Sequence, residues 1–162
     1  MELSSSRVLD NIVDDRHFRN GVTGDEESSR LLGAVLDKTC FQAFCGSGAI
    51  TALGGGALLD IKLIDSELSG NSGGSGAVLY SAVDLVNFLV SNSSVVNNRA
   101  SQGGAFCTVG GVVSLTVDAG SVVSGNQATS PELGNGGAMF VARAMTTFRI
   151  GNGSIMANNT AM

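Results

Sequence analysis

Apolar and polar positions alternate in short runs along the chain. Val113, Leu115 and Val117 interleave with Ser114, Thr116 and Asp118, and Phe148 and Ile150 interleave with Thr147 and Arg149. A period of two belongs to a β-strand with one buried face. No segment keeps an apolar period of 3.6 over the length of a helix, which disfavours ankyrin, TPR and HEAT arrays, and the Leu ladder of leucine-rich repeats is missing. The chain is expected to be all-β.

The strands recur with their flanks. Ser-x-φ-x-x-Asn, φ being aliphatic or Met, occurs at Ser66/Leu68/Asn71, Ser93/Val95/Asn98, Ser121/Val123/Asn126 and Ser154/Met156/Asn159. Upstream of each lies a Gly-Ala step followed by two apolar or β-branched residues: Gly48-Ala49-Ile50-Thr51, Gly76-Ala77-Val78-Leu79, Gly104-Ala105-Phe106-Cys107 and Gly137-Ala138-Met139-Phe140. Ala and Asn are 22 residues apart in the first unit (49 to 71) and 21 in the others (77 to 98, 105 to 126, 138 to 159). Successive units start 28, 28 and 33 residues apart, the last stretched around Ser130-Pro131-Glu132-Leu133, which holds the only proline. A fixed unit with one elastic joint marks a solenoid. Such a unit holds three short strands and three bends, enough for one coil whose strands bond to their equivalents about 4.8 Å away. The expected fold is a parallel β-helix solenoid, right-handed, of about four or more coils.

Each repeated residue then has a physical task. Gly48, Gly76, Gly104 and Gly137 are expected at bends with positive φ, and the Ala that follows is expected inside, setting the width of the interior. Asn71, Asn98, Asn126 and Asn159 are expected to end strands, to tolerate the left-handed region, and to bond coil to coil as a structural ladder.

Charge divides the chain near residue 45. Of its 23 charged side chains, 13 fall in residues 1–45, which leaves residues 46–162 for the repeats. The first segment reads as an N-terminal cap or a degenerate coil: Ser6-Arg7-Val8-Leu9-Asp10-Asn11 fits the Asn motif, Gly33-Ala34-Val35-Leu36-Asp37 resembles Gly56-Ala57-Leu58-Leu59-Asp60, and Asp25-Glu26-Glu27 reads as a solvated loop. The net charge of −5 without any Lys/Arg cluster disfavours nucleic acid as a partner. No apolar run reaches the roughly 18 to 20 residues of a membrane span, and Met1-Glu2-Leu3-Ser4 lacks the basic and apolar regions of a signal peptide. At the other end the last coil, Gly137 to Asn159, is followed by no charged or helical cover. Its open strand edges are expected to meet another chain, or further residues of the same chain, near Phe148, Ile150, Met156 and Asn159.

Gly103-Gly104-Ala105-Phe106 and Gly136-Gly137-Ala138-Met139, alternating with φ-x-x-Asn, resemble the repeats of chlamydial polymorphic outer-membrane proteins and related algal and protist surface proteins. The usual Phe before x-x-Asn is here Leu68, Val95, Val123 or Met156, and the resemblance covers residues 46–162. It implies a right-handed β-helical stalk on a cell surface, used for adhesion or assembly and not for catalysis. The autotransporter barrel that accompanies the bacterial proteins is absent from this sequence.

Other chemistry is sparse. Parallel β-helices also carry polysaccharide lyases and hydrolases, which need converging carboxylates, but Asp60, Asp65, Glu67, Asp84 and Asp118 do not share one column. His17, beside Asp14 and Asp15, has no triad partners. Cys40 and Cys45 could pair if the chain turns between them, while Cys107 reads as a core or wall residue, and no Cys/His set has metal-ligand spacing. Sequons at Asn92, Asn152 and Asn158 decide little. No cofactor or metal is expected. Two classes compete: a surface or adhesive structural repeat, and an accessory scaffold subunit docking on a larger complex through a sheet face or the open coil. Glycan binding would need an aromatic platform that one Tyr and seven Phe hardly supply.

Overall fold

The computed structural model describes residues 2–4, 7–9, 50–52, 59–132 and 134–162. Over these residues the chain is all-β and without helix. In chain order come β1 (Glu2–Ser4), β2 (Arg7–Leu9) and β3 (Ile50–Ala52). Next are β4 (Leu59–Ile64), β5 (Glu67–Ser69), β6 (Ser72–Ser75) and β7 (Leu79–Ser81). The same series returns as β8 (Leu85–Ser91), β9 (Ser94–Val96), β10 (Arg99–Gln102) and β11 (Phe106–Thr108), and as β12 (Val112–Asp118), β13 (Val122–Ser124), β14 (Gln127–Ala128) and β15 (Met139–Val141). It closes with β16 (Met145–Ile150), β17 (Ile155–Ala157) and β18 (Thr160–Ala161).

Every strand pairs in parallel with its counterpart in the next series. Four sheets result: β1-β4-β8-β12-β16, β2-β5-β9-β13-β17, β6-β10-β14-β18 and β3-β7-β11-β15. We call them the first to fourth sheets, and one passage through them a tier. Stacked parallel strands of this kind are consistent with a β-helix. Each tier has four strands where the spacing suggested three, because one left-handed residue separates the short strands of the second and third sheets.

Left-handed residues turn three of the four corners. Asp65, Asn92, Gly120 and Gly153 lead from the first sheet to the second, and Gly70, Asn97, Gly125 and Asn158 from the second to the third. The positive φ therefore falls one residue before each ladder asparagine rather than on it. Gly76, Gly103 and Gly136 turn the third corner. A Cβ on Gly103 would lie 2.0 Å from the Phe106 carbonyl oxygen, so the site excludes a side chain by space as well as by φ. This corrects the expected glycine column: Gly104 and Gly137 are second residues of their Gly-Gly pairs and lack positive φ. The alanine column shifts with it. Register pairs Leu79 with Phe106 and Phe106 with Met139, which places Val78, not Ala77, in line with Ala105 and Ala138. The fourth corner uses hydroxyls instead: Ser81 Oγ donates to the Val83 carbonyl at 2.9 Å, and Thr108 Oγ1 to that of Gly110 at 3.4 Å.

Alternation buries one face of each sheet, and the buried apolar residues of the first, second and fourth sheets gather in one core. Ile61, Phe88 and Leu115 form one buried column of the first sheet, and Leu63, Val90 and Val117 a second. Leu68, Val95 and Val123 come from the second sheet, Ala100 and Ala128 from the third, and Leu79 and Phe106 from the fourth. Phe88 and Phe106 meet edge to face across the core, with centroids 4.9 Å apart.

Candidate functional site

Two polar ladders run through the stack. Asn98 Oδ1 accepts from the Asn71 amide N–H at 3.0 Å and from Asn71 Nδ2 at 2.9 Å, and Asn98 Nδ2 donates to the Leu68 carbonyl at 3.0 Å. One tier on, Asn126 Oδ1 takes the same two bonds from Asn98, and its Nδ2 donates to the Val95 carbonyl. Asn159 Oδ1 does this for Asn126 at 3.0 and 2.8 Å, and its Nδ2 donates to the Val123 carbonyl. Asn71, Asn98 and Asn126 are fully buried. An amide side chain offers two donors and an acceptor of two bonds, and in Asn98 and Asn126 all are used. A slip by one residue would orphan every one of them, so the column fixes register.

The serine of the same motif forms the second ladder, a role that the sequence reading left unassigned. Ser66 N–H donates to Ser93 Oγ, Ser93 N–H to Ser121 Oγ and Ser121 N–H to Ser154 Oγ, each at 3.1 Å. The hydroxyls of Ser66 and Ser93 return to the carbonyls of Ile64 and Ser91, both at 2.7 Å. The signal was present in the fixed Ser-to-Asn distance of five residues.

Both ladders lead to the last tier. Three sheets finish there, on β16, β17 and β18, and the fourth finishes one tier earlier, on β15. Phe148 heads the column of Leu115, Ile150 that of Val117, and Met156 that of Val123. Phe148, Met156 and Asn159 share the rim of an apolar mouth of about 510 Å³ floored by Leu115, whereas Ile150 stands beside it. Met139 and Met145 complete the rim, continuing columns that hold Phe106 and Val112 one tier earlier. Methionine is unbranched and polarizable, suited to a surface that adapts to what covers it. Among the described residues, the Asn159 N–H has no acceptor, although the matching group of each earlier ladder Asn has one.

Four carboxylates each bond a different partner. Asp60 Oδ1 accepts from Asn87 Nδ2, Asp65 Oδ1 from Asn92 Nδ2, Asp84 Oδ1 from the Gly111 N–H, and Asp118 Oδ1 from the Ala119 N–H. Asp84 also lies 3.9 Å from Arg143 at the surface. Among the described residues no group of three His, Cys, Asp or Glu could hold a metal ion. Cys107 is buried, and burial pushes its thiol up to about 11, against a smaller opposing pull from nearby Ser75. The thiolate is the nucleophile, so the raised thiol and its burial both disfavour reaction at neutral pH. Among the described residues Ser75 Oγ has no hydrogen-bond partner, which marks the Ser75–Cys107 approach as weak. Asp14, Asp15, His17, Cys40, Cys45 and the segments from Asp25 and Gly33 lie outside the described residues. Among the described residues no helix is long and apolar enough to cross a membrane.

No family model, curated protein or solved structure matches this chain.

Proposed function

We propose that the chain winds as a right-handed parallel β-helix and works as a non-catalytic structural and interaction repeat of the surface or adhesive kind, with its last tier as the protein-binding surface. The handedness follows the general preference of connections between parallel strands. One observation carries the reading: a fully bonded column of buried asparagines leads to an apolar, methionine-rimmed mouth. A rigid stack is a sound support for contact at its end, and unpaired strand edges are a template for β-augmentation. The separate contacts of the described carboxylates favour contact over catalysis, since acid/base work on a glycosidic bond needs two of them converging. The Gly-Gly-Ala and φ-x-x-Asn likeness supports the surface role over that of an accessory scaffold subunit.

Beads coated with the chain should bind intact cells of its source or host, and Phe148→Asp with Ile150→Asp should abolish that binding while leaving the circular dichroism spectrum unchanged. Release of reducing ends from pectin or a related polymer would overturn the reading in favour of an enzyme.

A further inference from the structure

Three asparagines head an Asn-x-Ser/Thr triplet: Asn92-Ser93-Ser94, Asn152-Gly153-Ser154 and Asn158-Asn159-Thr160. All three are exposed, and all three hold positive φ at a corner, at 45°, 46° and 55°. The ladder asparagines are the opposite case. Their amides are spent inside the stack, and none is followed by the triplet: they read Asn71-Ser72-Gly73, Asn98-Arg99-Ala100, Asn126-Gln127-Ala128 and Asn159-Thr160-Ala161. A sugar on a ladder amide would break the column, whereas one on a corner amide stays in solvent.

Asn92 and Asn152 share one corner. Ser91 pairs with Asp118 and Val117 with Ile150, so register brings Asn92, Ala119 and Asn152 into one column. Ala119 stands between them with only a methyl group, and two strand spacings put the outer pair about 9.6 Å apart. We propose that Asn92 and Asn152 carry N-linked glycans. In the transfer the amide nitrogen bonds to C1 of an oligosaccharide held on a polyprenyl diphosphate. The C1–O bond breaks, the diphosphate leaves with its electron pair, and one amide proton is lost to base. Asn92 keeps a second amide proton for Asp65 Oδ1, which it bonds at 2.6 Å. Transfer precedes closure of the tier, because β9 holds Ser94 between two neighbouring strands and Ser154 Oγ is taken by the Ser121 N–H at 3.1 Å. Asn158 is left bare: it lies on the rim of the mouth, where a sugar would cover the surface read above as protein-binding.

This modification rests on the surface reading above, and the test separates the two. The chain is recovered from its source cells, its location is scored by antibody labelling of intact cells, and its mass is taken before and after treatment with peptide N-glycosidase. The expected result is a loss of mass on treatment, with Asn92 and Asn152 converted to Asp in the recovered peptides. Ser94→Ala, re-expressed in the same cells, should lose one glycan while Asn92 keeps its corner. Ala119→Asn completes Asn-Gly-Ser in the intervening tier and should gain one. A surface-labelled chain with both asparagines unmodified overturns the glycans and leaves the surface reading standing. A chain that is neither labelled on intact cells nor modified overturns both. A glycan confined to Asn158, or an added mass that the enzyme does not remove, overturns the assignment to this corner.

Discussion

The tier of β12 and β13 and the tier of β16 and β17 carry almost the same apolar pattern, yet their burial is opposite. Leu115 and Val117 are 1% and 0% exposed, whereas Phe148 and Ile150, in the same columns, are 49% and 43% exposed. The side chains point the same way along the same sheet. What differs is the neighbour on the far side: a residue here is buried by the tier above as much as by its own. Stability in such a stack is a sum of local and nearest-neighbour terms, so identical changes in the two tiers should have unequal effects.

The largest contrast should come from truncating one column at both levels. Leu115→Ala leaves a cavity between two tiers and is expected to cost roughly 2 to 5 kcal/mol, while Phe148→Ala at the open mouth should cost about 1 kcal/mol, as read from urea midpoints. Equal losses would show that burial in the last tier is supplied from elsewhere.

Glycine substitution sharpens the comparison. Gly103→Ala meets both positive φ and a carbonyl oxygen 2.0 Å away and should cost roughly 2 to 4 kcal/mol. Gly153→Ala has the same sign of φ but nothing within 4 Å, so only the backbone term of about 1 kcal/mol should remain in thermal melts.

The ladder should grade in the same sense. Asn126→Ala removes an amide bonded above and below and leaves the buried amide groups of Asn98 without acceptors, for a loss of about 2 kcal/mol; Asn159→Ala takes the same acceptor from Asn126, but at a part-buried end where water can replace it, and should cost less than about 1 kcal/mol. A chemical-denaturation series in which the two match would remove the ladder as a source of stability.

The smallest effect is a gain. Ala119 is held at φ 53 before Gly120, where the next tier has Asn152 before Gly153. Ala119→Asn should raise stability by about 0.5 to 1 kcal/mol, since Asn accepts the left-handed region more readily than Ala. A fall in melting temperature would contradict that account.

The asparagine columns were legible in the sequence because a buried amide with two-sided bonding tolerates no change of spacing. The Gly-Ala step was misaligned for a related reason. Ala77 and Ala105 look equivalent as letters, but the register is set by the glycine with positive φ, and in the second unit that glycine stands directly before Ala77 while in the third a second glycine intervenes. Two small residues in a row can exchange places without altering composition or periodicity. The number of strands was hidden too: Val122–Ser124 and Gln127–Ala128 are three and two residues long, too short for an alternation to show. The apolar residues of the last tier were readable as strand positions at an open edge, but how far each is exposed was not, because exposure depends on what lies one tier away.

The corner between the third and fourth sheets has a different consequence. From β10 to β11 the chain passes from Gln102 to Phe106, but from β14 to β15 it travels from Ala128 to Met139 through Pro131, and the strands on either side still pair in register. Extra length is absorbed there without disturbing the sheets, since enlarging an exposed loop adds little closure entropy. That corner is a natural port for grafting: a peptide epitope or a binding loop inserted near Pro131 would be displayed beside the stacked parallel strands, and a lineage could vary its sequence there while keeping their pairing intact.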